Sequence, residues 1–140
     1  RIGPMQLPAA VVGAFESFMR RYSARFEFAE MSIVRGAPVL RFIQANVELS
    51  VSLDLHDHCV TGSIGVKDPL ESDLEWRTRQ SNFDRTFIPL AQVFAAAELS
   101  TDFQRSIDVR SAEQVARSLA ALGEGMPWIH REVERWSAGV

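Results

Sequence analysis

Asp54, His56 and His58 carry the side chains in this sequence best suited to chemistry, and they stand at i, i+2 and i+4. A carboxylate and two imidazoles are fitting ligands for zinc or another divalent metal, and this spacing puts all three on one face of an extended strand. A metal-dependent enzyme built on Asp54, His56 and His58 is one reading. The other is a polar hairpin tip: if the chain reverses between His56 and Cys59, the three side chains no longer project in parallel. Short His/Asp clusters are weak motifs, so the tip reading is preferred and neither metal nor cofactor is assigned.

Nucleophilic catalysis needs a base set against a nucleophile and a third group to orient it. Cys59 beside His58 is the local candidate, but neighbouring residues on a strand point to opposite faces. Cys59 therefore reads as structural. His130, flanked by Ile129 and Arg131 close to Trp128 and Glu132, reads as part of a solvated helix face. There is no G-x-S-x-G, no P-loop and no G-x-G-x-x-G, and Gly62-Ser-Ile-Gly65 falls within a strand pattern rather than a phosphate loop. No catalytic residue is assigned, and the chain is expected not to be an enzyme.

A different chemistry is offered by Asp68, Glu71, Asp73 and Glu75, four carboxylates in eight residues that run into Trp76. Such a segment can be a solvated loop. It can also be a recognition surface, because complementary charge speeds association and Trp is enriched among interface hot spots. Arg77, Arg79 and Arg85 follow at once and bound the acidic patch. The polar residues Glu48, Ser50, Ser52 and Asp54 could extend it across a sheet face. The candidate partner-binding set is Asp54, Asp68, Glu71, Asp73, Glu75 and Trp76.

The elements that must carry these residues are legible from periodicity. Val47, Leu49, Val51, Leu53 and Leu55 alternate with Glu48, Ser50, Ser52 and Asp54, and the alternation resumes at Val60, Gly62, Ile64 and Val66. Period two marks half-buried strands, here joined as a hairpin. Phe26 to Val34 and Pro38 to Ala45 are strand-like, with Gly36 at one turn and Asn46 at the next. Links this short allow only antiparallel pairing, so the expectation is a four-stranded meander. Pro8 to Tyr22 predicts a helix through Val11, Phe15, Phe18 and Tyr22. Pro89 opens another bearing Leu90, Val93, Phe94 and Ala97. Ser111-Ala-Glu-Gln114 is a capping box, and the helix it starts is expected to end at Gly123 or Gly125. Pro127 then opens a last helix through Ile129, Val133 and Trp136. The class is α+β: an N-terminal helix, a four-stranded antiparallel meander and C-terminal helices on one sheet face.

At 140 residues, 46% hydrophobic and 24% charged, the chain has the makings of one folded domain, expected over 5–140. A net charge of −3 lacks the basic footprint of a nucleic-acid binder. A single cysteine excludes an intrachain disulfide and a Cys-rich zinc site. No apolar run approaches the roughly eighteen residues of a membrane span, and no signal peptide is visible. Arg1-Ile-Gly-Pro4 reads as a cloning remnant before Met5, which makes a cytoplasmic location the expectation.

The N-terminal helix, the Val47–Val66 hairpin, Thr86-Phe-Ile-Pro-Leu-Ala-Gln-Val-Phe94 and Ser111-Ala-Glu-Gln-Val-Ala-Arg-Ser-Leu119 together give a layout that resembles small bacterial α+β proteins. Some of these are grouped as immunity proteins of polymorphic toxin systems. The resemblance is one of layout and hydrophobic pattern, so it transfers no functional residue. It implies a stoichiometric inhibitor that covers or distorts a toxin domain and does no chemistry itself. A protein-binding module, in its most specific form an immunity protein, is thus the leading expectation. A chaperone for a secreted effector and the Asp54/His56/His58 metalloenzyme are the alternatives.

Overall fold

The computed structural model describes residues 6–66 and 87–138. Helix α1 spans Ala9–Tyr22 and buries Val11, Phe15, Phe18 and Tyr22, the stripe that the spacing predicts. A 3-10 turn over Ser23–Arg25 carries the chain to strand β1, Phe28–Val34. Strands β2 (Ala37–Gln44), β3 (Val47–Asp54) and β4 (Cys59–Val66) follow as an antiparallel meander. A short strand β5, Phe87–Pro89, pairs with β4, so the sheet has five strands in the order β1-β2-β3-β4-β5 rather than the four expected. Three residues of Phe-Ile-Pro show too little alternation to announce a strand, and their pairing is dictated by the neighbouring edge of β4.

The turns follow local chemistry. Arg35 and Gly36 both have positive φ, the two-residue hairpin geometry whose twist suits flanking strands, and Gly36 takes it without a Cβ penalty. Between β2 and β3 the left-handed residue is Ala45 (φ 51), one position before the Asn46 expected to make the turn. The Glu27 side chain braces this turn, accepting a hydrogen bond from the Ala45 amide at 3.3 Å.

After β5, helix α2 spans Leu90–Ala96 and turns Leu90 and Phe94 inward. Helix α3 spans Ala112–Ala138 without interruption. Two separate helices, broken near Gly123 or Gly125, were expected here; they are one. The glycines are explained by close approach: a Cβ on Gly123 would lie 2.6 Å from the Tyr22 hydroxyl, and one on Gly125 would lie 2.5 Å from Phe94 Cζ. Pro127 brings no N–H to the carbonyl four residues back, which belongs to Gly123. The Tyr22 hydroxyl donates to that same carbonyl at 3.3 Å. A neighbouring helix thus supplies a donor where the proline lacks one. At the start of α3, Ser111 Oγ accepts from the Gln114 amide as a capping box requires. The Gln114 side chain, however, accepts from the Asp108 amide at 2.9 Å and ties down the preceding turn.

The core lies between one sheet face and the helices. Leu40, Phe42, Leu49, Val51, Leu53, Val60 and Ile64 meet Phe15, Phe18, Phe94, Leu119, Leu122 and Ile129, all buried. The predicted core residues Phe15, Phe18, Phe94 and Leu119 are all in place.

Candidate functional site

The opposite sheet face is built in rows set by strand register. One row runs Glu30, Arg41, Ser50, Ser63 and Pro89, and the next runs Phe28, Ile43, Glu48, Gly65 and Phe87. Sequence reasoning expected a solvated polar surface here. Instead Glu48 is 1% exposed and Arg41 9%. Arg41 Nε donates to Glu48 Oε1 at 2.8 Å, its Nη2 donates to the same oxygen, and its Nη1 donates to Glu30 Oε1 at 2.5 Å. Burial alone would lower the Arg41 pKa, but hydrogen bonds and charge from Glu48, then Glu30, outweigh it and hold the pKa above its ordinary value. The guanidinium is permanently charged and clamped between two carboxylates. Beside it, the Phe87 ring lies over Gly65, where a Cβ would come within 2.6 Å of Cε1. Part of the polar face is thus an interior of its own, so Glu48 is removed from the solvated patch.

The hairpin tip does not assemble the metal triad. β3 stops at Asp54, which pairs with Cys59 across a four-residue loop. Asp54 Oδ1 accepts from the amides of His56 (2.8 Å) and Asp57 (2.9 Å). This is an Asx turn, in which the carboxylate substitutes for a backbone acceptor. His58 takes a positive φ of 55, and its carbonyl accepts from the Ile107 amide at 2.8 Å. The i, i+2, i+4 geometry needs extended backbone, and the reversal at the Asx turn removes it. Among the described residues no group of three or more His, Cys, Asp or Glu side chains could hold a metal ion. Asp54 is half-buried and serves as the turn's acceptor.

Cys59 is buried, and its thiol pKa is pushed up by burial and then by the charges of Asp54 and Asp57. A thiol so placed is a poor nucleophile. His130 departs from the solvated face expected for it. Its Nε2 lies 2.9 Å from the Arg25 carbonyl, and its ring meets Phe26 edge-on. Because a carbonyl can only accept, Nε2 carries the proton in this contact. His130 joins α3 to the entrance of β1.

Asp68, Glu71, Asp73, Glu75 and Trp76 lie outside the described residues. The residues that flank their segment are described, and they add something the sequence reading missed. Val66 is 42% exposed and Ile88 48%. Ile88 pairs with Ile64, which makes Val66 its diagonal neighbour on the same face. The other large exposed apolar side chains among the described residues are Phe28, Ile33 and Val34, all on β1. Alternation could not reveal them, since it assigns a strand residue to a face, Phe28 and Val34 to the one opposite the helices, without saying which part of either face is covered.

Among the described residues no helix is long and apolar enough to cross a membrane. Searches of protein-family models, of curated proteins and of solved structures each return no match to this chain.

Proposed function

We propose that this chain is a protein-binding module, and in its most specific form an immunity protein that neutralises a cognate bacterial toxin domain. The observation that carries the reading is the Val66–Ile88 pair. Two neighbouring apolar side chains on β4 and β5, which flank the acidic segment in sequence, stay near half-exposed. Apolar area that flanks a run of carboxylates in sequence suits a docking surface: the carboxylates steer a cationic partner, and desolvated aliphatic and aromatic groups hold it. In this reading Asp68, Glu71, Asp73, Glu75 and Trp76 make the contact, whereas Asp54, at the other end of the β3–β4 hairpin and on the opposite face from Val66 and Ile88, lies apart from it.

The test is co-expression with a toxin domain encoded beside this gene. The wild-type chain rescues growth and co-purifies with the toxin at one-to-one stoichiometry. Trp76→Ala weakens binding by about 2 kcal/mol as a hot spot would, and Val66→Asp with Ile88→Asp abolishes rescue while the melting temperature holds. Unchanged affinity in Trp76→Ala together with lowered stability would assign Trp76 to the core and sink its recognition role.

A further inference from the structure

The two edges of the sheet are treated differently. β5 is three residues long and ends in Pro89, which has no N–H to offer a further strand. β1 has seven residues, pairs one-to-one with β2 from Phe28↔Ile43 to Val34↔Ala37, and contains no bulge, proline or lysine. Its single charge, Glu30, is turned onto Arg41. Phe28, Ile33 and Val34 are 46%, 53% and 51% exposed. Long apolar edges template strand pairing, and proteins often blunt them with lysine, proline or a bulge, none of which β1 contains.

We infer that β1 is a homodimer interface, pairing antiparallel with β1 of a second copy across a two-fold axis at Met31. The register is selected by the residues. A two-fold axis normal to the sheet pairs residues whose numbers have a constant sum, and each pair must share a face. An axis at Glu30 would set Glu30 against its own copy, and like charges directly opposite are destabilising. An axis at Ser32 would set Glu30 against Val34. Centred on Met31, Phe28 meets the partner's Val34, Ala29 meets the partner's Ile33, Glu30 meets the partner's Ser32, and Met31 meets its own copy. Every exposed apolar residue of the edge then gains an apolar partner, and no like charges face each other. The product is a continuous ten-stranded sheet, five strands from each copy. The Val66–Ile88 surface lies at the far end of each half and stays free for a different partner.

Sedimentation equilibrium and native mass spectrometry at micromolar concentration provide the test. The wild-type chain should run at twice its 15.7 kDa mass. Phe28→Lys with Val34→Lys puts lysine opposite lysine twice and should raise the dimer dissociation constant at least about tenfold. Phe28→Glu with Val34→Lys puts opposite charges at the same two contacts and should restore the dimer. Both positions are exposed, and circular dichroism checks that each variant folds. Independently, Met31→Cys in a Cys59→Ala background should oxidise to a disulfide-linked dimer, because residues on the axis fall within disulfide reach. A monomeric wild-type chain overturns the inference. A dimer indifferent to the lysine pair, or not restored by the Glu/Lys pair, overturns the register.

Discussion

The two faces of the sheet use one alternating sequence to reach two different interiors. Facing the helices, Leu49, Val51 and Leu53 pack against aromatic and aliphatic side chains, and burial of apolar area holds that layer. On the other face, one residue out of step, Glu48 lies buried against Arg41, and Arg41 also reaches Glu30. The first layer tolerates reshuffling among residues of similar volume. The second does not, because its stability depends on each charge keeping its partner: the desolvation cost of an ion pair is offset only while the pair is complete.

The comparison breaks most sharply at adjacent residues of β3. Val51→Asp buries an unpaired carboxylate in the apolar layer and should cost about 4 kcal/mol or more. Ser52→Asp, one step along on the half-buried face, should cost less than about 1 kcal/mol. Denaturant melts of the two variants check this, and similar losses would mean that the faces are misassigned.

Next in size is Arg41→Met. It withdraws the two guanidinium hydrogen bonds from Glu48, which is 1% exposed, and should cost about 3–5 kcal/mol. Adding Glu48→Leu to Arg41→Met removes the buried carboxylate as well and should recover most of that loss, which equilibrium unfolding of the single and double variants would measure. If the double variant is as unstable as the single, the triad does more than satisfy its own charges.

The smallest effect sharpens the contrast at Cys59, which sits on the same side of the sheet as the triad. Burial, then Asp54 and Asp57, raise its pKa in the folded chain. The neutral thiol is the form the fold favours, so its contribution is fully present below the unfolded thiol's pKa of about 8.5 and is lost as pH rises toward the folded value. Unfolding midpoints compared at neutral and alkaline pH should show a decline that Cys59→Ala lacks. Native Cys59 should also react slowly with a disulfide reagent at mildly alkaline pH. Rapid modification of the native chain would contradict its burial.

Alternation and spacing alone determined much of this molecule. Val47 to Leu53 placed a strand and its core face, and Val11, Phe15, Phe18 and Tyr22 placed a helix and its buried stripe. Both signals are local, since a residue's direction follows from backbone period within a few positions. The tertiary structure decided what depends on a distant neighbour. Glycine and proline near 123–127 read as a helix end until Tyr22 and Phe94 press close enough to require glycine and to offer the carbonyl a donor. Glu48 reads as a solvent-facing carboxylate until Arg41, paired two residues out of line on the next strand, claims it. Asp54 and His56 allow either a ligand pair or a turn, and the chain turns on the Asp54 carboxylate itself. In each case the residue type was visible from the start. Its role was set by a partner that only packing brings within reach.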